Sequence, residues 1–141
     1  MSNVLIVYYS LTGNTEKMAD YVAEGVKQER VEVVVKKVSE TKPEDLLNYE
    51  GIIMGSPTYY GCAAAPIREL IDKSVKFHGK LEGKVGGAFT SSGCIGGGNE
   101  TTILSILTAM LIHGMVIFGT SEDDHYGPVA IGKPDKRVQA N

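Results

Sequence analysis

The stretch from Val4 to Tyr9 constrains the fold more than any other feature, because β-favouring residues follow one another there without polar alternation. A strand with one wet face alternates apolar and polar residues, whereas a continuous run is typical of a strand buried on both faces of a parallel sheet. From Thr15 onward the spacing changes to that of a helix, with Met18 and Val22 on an apolar face. The chain therefore starts with a buried strand that leads directly into an amphipathic helix.

Strand-like and helix-like segments continue to alternate along the chain. The remaining predicted strands are Val31 to Val38, Ile52 to Met54, Lys84 to Thr90, Met115 to Thr120 and a resumption at Val129 to Ile131. The predicted helices between them begin at Pro43, Pro66 and Thr101. This alternation predicts an α/β fold, a three-layer sandwich whose five-stranded parallel sheet carries helices on both faces. A length of 141 residues fits one domain, residues 1–141.

Composition argues against several classes of protein. Hydrophobic residues make up 43% of the chain and charged residues 22%, as in ordinary globular domains. A formal net charge of -3 argues against a nucleic-acid partner, which would need a basic surface. The longest apolar stretch, Ile103 to Phe118, contains Ser105, Thr108 and His113, so we expect no membrane span. Two cysteines and the lack of a signal-peptide pattern favour a reduced, cytoplasmic protein.

The last predicted helix is short. It begins near Pro134 and runs for only a few residues in this sequence. Because a parallel sheet needs helices on both faces, we expect a truncated final helix to leave apolar sheet surface bare. Either the chain is a shortened one, or a partner chain covers that surface.

Three loops follow the carboxyl ends of the first, third and fourth predicted strands, which is where parallel sheets bind ligands. They are Ser10 to Thr15, Ser56 to Gly61 and Ser91 to Asn99. Since the carboxyl ends of parallel strands meet at one edge of a sheet, we expect the three loops to converge on one crevice.

The first loop reads Ser-x-Thr-Gly-x-Thr and runs straight into a helix N-terminus. It offers hydroxyl groups, the Asn14 amide and successive backbone N–H groups, and the helix dipole favours an anion there. It contains neither lysine nor arginine, and the usual glycine-rich nucleotide motifs are absent from the chain. The loop therefore predicts a phosphate monoester held by neutral donors without a metal. A capping turn with no ligand is the alternative.

Two adjacent tyrosines, Tyr59 and Tyr60, lie in the second loop. A solvent-facing pair would suit a flat ligand, and packing of both rings under the following helix is the alternative. The third loop has almost no side-chain bulk. That suits the approach of its backbone to a ligand, and it suits a flexible linker equally well.

Together the three loops resemble the FMN site of flavodoxins, whose phosphate loop has the pattern Thr/Ser-x-Thr-Gly-x-Thr. Other segments are similar to the tryptophan-repressor-binding-protein type of NAD(P)H:quinone oxidoreductases. These segments are Ser56-Pro57-Thr58-x-x-Gly61, the run from Gly96 to Glu100, and His113-Gly114-Met115. The resemblance extends from about Val4 to Ile131. It implies a flavodoxin-like fold with the strand order 2-1-3-4-5.

The resemblance also implies that FMN is bound noncovalently, with its phosphate in the first loop, its isoalloxazine ring beside the second and its pyrimidine edge in the third. The residues that it implies are Ser10, Leu11, Thr12, Gly13, Asn14 and Thr15; Pro57, Thr58, Tyr59, Tyr60 and Gly61; and Ser91, Ser92, Gly93, Cys94, Gly96 and Gly97. His113 would reach the pyrimidine edge, and a capping role at a helix C-terminus is the alternative. We expect no catalytic residue and no metal ligand, because the flavin would do the redox chemistry.

Two functions fit such a site. One is a flavodoxin-like carrier that exchanges electrons with a redox partner protein. The other is an NAD(P)H:quinone oxidoreductase that reduces quinones through the same FMN. Carrier function is favoured for two reasons. The chain has no tryptophan, and the aromatic side chains in the segment before the fourth strand are only Phe77 and His78. The segment from Ser121 to Pro128 is also short. In reductases of this type, the corresponding segments help to build the tetramer and the substrate pocket.

Other interpretations are weaker. Cys62 and Arg68 match the Cys-x5-Arg phosphatase signature, but Pro66 removes a backbone donor and no glycine lies between them. A flavin-free scaffold is a further alternative. Asp123 and Asp124 form either a docking patch for a basic redox partner or a solvated turn.

The predicted helix from Thr101 to His113 is apolar on more than one stripe. Its apolar residues are Ile103, Leu104, Ile106, Leu107, Met110 and Leu111. Because only one face meets the sheet, we expect the other to meet a second subunit, and we predict a homo-oligomer.

Overall fold

A parallel sheet with β3 at its centre organises the molecule. The computed structural model describes residues 2–140, and Met1 and Asn141 of the predicted domain lie outside the described residues. The strands are β1 (Asn3–Tyr8), β2 (Glu32–Lys37), β3 (Gly51–Tyr59), β4 (Cys62–Ala63), β5 (Val85–Ser92), β6 (Val116–Ile117) and β7 (Val129–Ile131). The α-helices are α1 (Asn14–Gln28), α2 (Ala65–Lys73), α3 (Asn99–Ile112) and α4 (Lys136–Ala140). Short 3-10 helices cover Val38–Glu40, Pro43–Asn48 and Ser74–Phe77.

The sheet follows the predicted strand order. Its path is β2-β1-β3-β5-β6, and every neighbouring pair along this path is parallel. β6 pairs with the beginning of β5 and β7 pairs with its end, so the two segments together fill the position of the fifth predicted strand. β4 is an addition, which pairs antiparallel with the end of β3. The predicted α/β fold with a parallel sheet is confirmed.

Alternate residues of β1 enter two separate cores, which explains its unbroken apolar run. Leu5 and Val7 pack in the larger core with α2 and α3. Ile6 and Tyr8 pack in the smaller core with α1 and α4. All four side chains are buried. Full burial of one aliphatic side chain contributes about 1.5–3 kcal/mol, so β1 stabilises both layers of helices at once.

The smaller core is covered only in part. Val138 of α4 is buried against it, and Gln139 Nε2 donates a hydrogen bond to Tyr21 Oη of α1 at 3.1 Å. Beside α4, a groove of about 690 Å³ lies between α1 and the segment 118–128, with Ile53 in its lining. Glu24, Gln28 and Glu29 also line this groove, so charged and polar groups lie in it beside the apolar ones. Within residues 2–140, no helix combines the length and the apolar character needed to cross a membrane.

β3 extends well past the predicted strand Ile52 to Met54 and takes in most of the predicted second loop. It continues because β5 pairs with it as far as Pro57, which lies opposite Ser91. Proline lacks the amide donor that a central strand requires. β1 pairs with β3 only as far as Gly55, so Pro57 stands where β3 has already lost that neighbour. The pattern of residues hid this extension because proline usually marks the end of a strand.

The predicted strand Met115 to Thr120 is cut short, and its sheet position is resumed by β7. The segment 118–128 leaves the sheet between them, and Asp124 anchors its return. The Asp124 carboxylate accepts hydrogen bonds from the Val129 N–H at 3.2 Å and from Arg137 Nη1 at 2.8 Å. Because the Asp124 carboxylate is engaged in these hydrogen bonds, it is not available as one of the two charges of the predicted acidic docking patch.

His113 lies at the opposite edge of the sheet from the three predicted loops. α3 starts where β5 ends and leads back to β6, which pairs with the beginning of β5. His113 is the C-cap residue of this 14-residue helix, and at about 1.5 Å per residue the helix separates it from the third loop by roughly 20 Å. The structure therefore corrects the expectation that His113 reaches the flavin, and it agrees with the capping alternative.

The hydrogen bonds of Ser74 fix the protonation of His113. The Ser74 hydroxyl donates its single proton to the Ile71 carbonyl, so it accepts from His113 Nε2 at 2.8 Å. Nδ1 is buried and has no hydrogen-bond partner among residues 2–140. Burial, and then the neighbouring His78, lower the pKa of His113 below its usual value, because a second proton would sit on the unsolvated Nδ1.

We expect thermal stability to fall as the pH drops below about 6.5, because His113 then becomes protonated in the unfolded chain while it stays neutral in the folded one. Above about pH 6.5, His113 is neutral in both the folded and the unfolded chain, so it adds no pH dependence. Below the pKa of folded His113 it is protonated in both states, so the stability decreases no further. Between about pH 7.5 and 5 we therefore expect the Tm of the wild type to decrease. His113→Gln keeps a donor for Ser74 and should lose this dependence, whereas the exposed control His125→Gln should keep it. Identical pH profiles for wild type and His113→Gln would contradict the assignment.

Candidate functional site

A buried pair of hydroxyl groups joins the first and third loops beneath the carboxyl edge of the sheet. Thr15 Oγ1 lies 2.8 Å from Ser91 Oγ, and both residues are buried. The Thr15 hydroxyl, one of those that the first loop was expected to offer to a ligand, instead contacts Ser91. The pair holds the start of α1 against the end of β5.

A second set of hydrogen bonds joins the end of β3 to the third loop. Thr58 Oγ1 lies 2.9 Å from Thr90 Oγ1 and 3.2 Å from Asn99 Oδ1. Thr90 Oγ1 donates to the Ser56 carbonyl at 2.7 Å. Thr90 and Asn99 are buried, and leaving one such group unpaired would cost about 1–3 kcal/mol. The network therefore favours a single arrangement of the loops.

Two glycines allow the backbones of the second and third loops to touch. A Cβ atom at Gly98 would lie 2.7 Å from Gly61 Cα, and a Cβ at Gly61 would lie 3.0 Å from Thr101 Oγ1. Both glycines have positive φ, which side chains disfavour. The close contact between the backbones of Gly61 and Gly98, together with the hydroxyl contacts, confirms that the three predicted loops converge.

The turn of the β3–β4 hairpin consists of Tyr60 and Gly61, with φ angles of 52° and 77°. Positive φ at both central positions is the mark of a type I′ turn, which fits the twist of paired strands. For tyrosine this conformation costs about 1–2 kcal/mol, and the ring is fully exposed at the tip. Tyr59 instead packs edge-on against Tyr9, with ring centroids 6.4 Å apart. Tyr60 is therefore the tyrosine that presents a whole ring to solvent, and the two rings do not both pack under α2.

The first loop encloses the N-terminus of α1. Gly13 is the N-cap residue with a φ of 99°, and its N–H donates to Ser10 Oγ at 3.1 Å. The next N–H groups have no intrahelical acceptor, and they lie at the positive end of a 15-residue helix. Leu11 and Thr12 are exposed, so the loop is open to solvent. An anion can therefore approach these backbone donors directly.

The third loop is a compact turn with an open tip. Ser92 Oγ donates to the Cys94 carbonyl at 2.9 Å, and the Ser92 carbonyl accepts from the Gly132 N–H at 2.8 Å. Gly97 packs against Cys94 so closely that a Cβ atom there would lie 3.1 Å from the Cys94 carbonyl oxygen. Gly93, Cys94 and Gly96 are exposed. These contacts favour a formed ligand loop over a flexible linker.

Neutral groups dominate the electrostatics of the site. Asp, Glu, Lys and Arg are all absent from the sequences Ser10 to Thr15, Ser56 to Ala65 and Ser91 to Asn99. Glu16, in the first turn of α1, accepts a hydrogen bond from Tyr8 Oη at 3.2 Å. Burial, and then Glu16, raise the pKa of Tyr8 to about 12, so this phenol stays neutral at physiological pH. Any anion is therefore held by backbone and hydroxyl donors together with the helix dipole.

Four residues that fasten the loops to one another are absent from the residues that the resemblance implies for FMN binding. They are Ser56, Thr90, Gly98 and Asn99. A usable signal was present, since Thr90 is a polar residue that directly follows a buried apolar strand segment. A cavity of about 490 Å³ beside the first loop was also not anticipated; Tyr9, Ser10 and Lys37 are among its lining residues.

The positions of Cys62 and Arg68 contradict the phosphatase interpretation. Cys62 lies in β4 opposite Tyr59, and not within a loop of backbone donors. Arg68 Nη1 donates to the Ser105 carbonyl at 3.1 Å, and Nη2 lies 3.8 Å from Asp72. Cys62 and Arg68 therefore do not form an anion cradle.

Known proteins share this fold. Residues 5–95 match the family model described as a flavodoxin domain. A protein named flavodoxin from Aquifex aeolicus is 40% identical over 142 residues, which cover 95% of this chain and 77% of the relative. A protein named NAD(P)H dehydrogenase (quinone) from Archaeoglobus fulgidus is 34% identical over 168 residues, which cover 95% of this chain and 88% of the relative.

Solved structures give the same result. A flavodoxin described as a WrbA-like protein, from Agrobacterium tumefaciens, matches with a TM-score of 0.81 and 28% identity, covering 99% of this chain and 88% of that one. Oxidised flavodoxin 1 from Bacillus cereus matches with a TM-score of 0.84, covering 99% and 90% of the two chains, and its 20% identity supports the fold alone. With the sheet order, the converging loops and a family match over more than half of its length, the chain belongs to the flavodoxin domain family.

Proposed function

We propose that the protein binds FMN noncovalently and uses it to carry electrons to or from a redox partner protein. The observation that carries the proposal is the junction of three uncharged loops around a helix N-terminus. Thr15 and Ser91 join the first loop to the third, and Gly61 and Gly98 join the second to the third. Such a crevice suits a ligand with one anionic end and a flat, neutral ring.

The first loop fits the phosphate end of FMN. The residues placed to hold it are Ser10, Leu11, Thr12, Gly13, Asn14 and Thr15, through backbone N–H groups and the outward-facing hydroxyls. Ser10 Oγ already accepts from the Gly13 N–H, and a hydroxyl that accepts in this way still has its own proton to donate. The helix dipole stabilises the negative charge without a cationic side chain.

The second and third loops fit the ring. Pro57, Thr58 and the tyrosine-glycine turn would lie beside it, and Tyr60 offers an exposed aromatic face for stacking. Ser91 to Gly97 would surround the polar edge with backbone groups, and the exposed glycines leave room for the approach. When bound, FMN supplies the electron-transfer chemistry. The role of the chain is to bind the cofactor, orient it and keep charged groups away from the ring.

A quinone reductase is the second candidate, because relatives with that name match nearly the whole chain. Two segments that would help to wall a substrate pocket are small here. Ser74–Phe77 forms a single 3-10 turn near His113, at the far edge of the sheet. The segment 118–128 is tied down by Asp124. These placements favour the carrier.

The two cysteines are free and exposed, which suits the reducing cytoplasm that we propose as the location of the protein.

Purified protein should bind added FMN, which is measured by quenching of flavin fluorescence. The loaded protein should then keep its visible flavin absorption when NADPH and then NADH are added without oxygen, and dithionite should bleach it. This outcome follows because, within residues 2–140, Ser74–Phe77 lies near His113 at the far edge of the sheet and the segment 118–128 is held down by Asp124. Rapid bleaching by NADPH alone would favour the reductase, and a protein that fails to bind FMN would favour the flavin-free scaffold.

Gly98→Ala should weaken FMN binding by at least about tenfold, because its Cβ would push the third loop away from Gly61. Gly79→Ala is a matched control, since Gly79 also has positive φ and lies outside the three loops, and a Cβ there would meet no atom within 4 Å. Fluorescence titration measures the affinities, and thermal unfolding shows that both variants fold. Equal affinities in the two variants would contradict a role for the Gly61–Gly98 contact.

We also propose that the protein forms a homo-oligomer through the outer face of α3. Ile103, Ile106 and Met110 face the core, whereas Leu111 and Ile112 are 56% and 72% exposed. At micromolar concentration, sedimentation should show a dimer or a larger species. Leu111→Lys should dissociate it, and Val75→Lys, on an exposed apolar residue outside α3, should not. A monomeric wild type would contradict this proposal.

A further inference from the structure

β2 forms one outer edge of the sheet, and half of its backbone groups have no partner among residues 2–140. It pairs with β1 on one side and with no strand on the other. The Glu32 N–H donates to the Ser2 carbonyl at 3.2 Å, on the side of β1. Because the residues of a paired strand alternate between its two sides, the N–H and C=O groups of Val33 and Val35 point away from the sheet.

The side chains of β2 leave this edge accessible. Val34 and Val35 are each 38% exposed, within an unbroken run of three valines. Proteins usually block an edge strand with proline, a bulge, charge or a covering segment. β2 contains no proline, and its register with β1 is continuous from Glu32 to Lys37. The edge is therefore open to a further strand that can accommodate its charges.

The sequence of β2 is complementary to itself in the antiparallel direction. From residue 32 to residue 36 it reads Glu-Val-Val-Val-Lys, with opposite charges at equal distances from Val34. A two-fold axis at Val34 would place Glu32 of each copy opposite Lys36 of the other. Val33 would lie opposite Val35, and each of these pairs would exchange two backbone hydrogen bonds through the outward groups.

We propose that the outer edge of β2 is a docking surface for a second copy of this chain, whose β2 pairs with it antiparallel about a two-fold axis at Val34. An axis at Val35 would instead place Lys36 opposite Val34. Glu32 would then face Val38, so the charges favour the axis at Val34. The carboxyl edges of the two sheets point in opposite directions, so the pairing leaves both crevices open and neither needs nor blocks FMN.

Lys36 is already positioned for this contact. Its Nζ lies 3.1 Å from Asp45 Oδ2, and its side chain is still 31% exposed. The Asp45 carboxylate also accepts a hydrogen bond from the Lys42 N–H at 3.0 Å, which fixes the carboxylate in place. Opposite residues of this kind of antiparallel pair have Cα atoms about 4.5 Å apart. Glu32 of the second copy can therefore reach the same ammonium group.

The length of β2 limits the strength of the pairing. A strand of six residues spans roughly 20 Å, so contact along it is smaller than a standard stable interface. We expect dimers at concentrations on the order of several hundred micromolar, whereas the contact proposed for α3 is tested at micromolar concentration. α3 packs on β5, and β1 and β3 lie between β5 and β2, so the two contacts do not overlap.

Disulfide cross-linking tests the position of the axis. Val34→Cys and Val35→Cys are a matched pair, because the two valines are equally exposed on one strand. Both are made in the full chain with Cys62→Ser, Cys94→Ser and Leu111→Lys, which remove the native thiols and the α3 contact. The oxidant is oxidised glutathione, which takes up the two electrons released by each new disulfide. Val34→Cys should form covalent dimers at least about tenfold faster than Val35→Cys, because only residue 34 lies opposite itself.

Charge exchange tests the identity of the partner. In the Leu111→Lys chain, Glu32→Lys alone and Lys36→Glu alone should each stay monomeric in sedimentation, because like charges then face each other at both ends of the pair. An equal mixture of the two should form dimers, because opposite charges face each other again. Glu122→Lys and Lys133→Glu are matched controls on exposed residues beyond β5, and each should dimerise like the parent chain. Thermal unfolding shows that each variant folds.

Several outcomes would overturn the proposal. Equal cross-linking rates would mean random collision, and faster cross-linking of Val35→Cys would mean a different register. A Leu111→Lys parent that stays monomeric at several hundred micromolar would leave the edge to another protein or to none. Dimers of either β2 charge variant alone, or a mixture that stays monomeric, would mean that Glu32 and Lys36 do not face each other. Open-ended growth of the parent would contradict a closed two-fold contact.

Discussion

Burial of β1 on both faces is the constraint on which the rest of the structure depends. A strand enclosed in this way cannot bend toward either helix layer, so the chain leaves the sheet at its carboxyl end and turns at once into α1. Tyr8 stands level with Gly55 in β3, and Gly55 stands level with Phe89 in β5. Gly55 has no side chain because the Phe89 ring occupies that space. Three neighbouring strands therefore end near one another, and their loops meet.

The loops are held by neutral hydrogen bonds, which suits a site that binds an anion beside a neutral ring. A buried hydroxyl is tolerated once it has a partner, whereas a buried charge needs a counter-charge and further hydrogen bonds. Thr15 with Ser91, and Thr58 with Thr90, satisfy one another below the surface. The helix N-terminus then supplies a field toward the crevice that favours negative charge. Fixed carboxylates in the loops would oppose the phosphate of the proposed FMN, and fixed cations would also attract competing anions.

Local patterns sufficed for β1, α1 and the first loop, because run length, helical spacing and turn residues lie close together in sequence. The contacts that assemble the site are not local: Thr15 and Ser91 are 76 positions apart. Composition cannot show which distant polar groups will pair, so Thr90 and Asn99 were not among the residues implied for FMN binding. Pro57 hid the extension of β3, since its tolerance depends on where β1 stops. His113 was assigned to the cofactor by similarity of a short motif, and only the direction of α3 shows that it belongs at the other edge.

The same geometry bears on the choice between carrier and reductase. A reductase must enclose a nicotinamide or a quinone against the flavin and keep water out. A carrier must leave one edge of the flavin open, so that a partner can approach it. In this chain the segment 118–128 is packed along β5, where a Cβ at Gly127 would overlap the Ala88 carbonyl oxygen at 2.1 Å. It therefore cannot rise over the crevice without losing its anchor at Asp124. Short loops meet at the crevice, and this arrangement suits the proposed carrier better than closure around a small substrate.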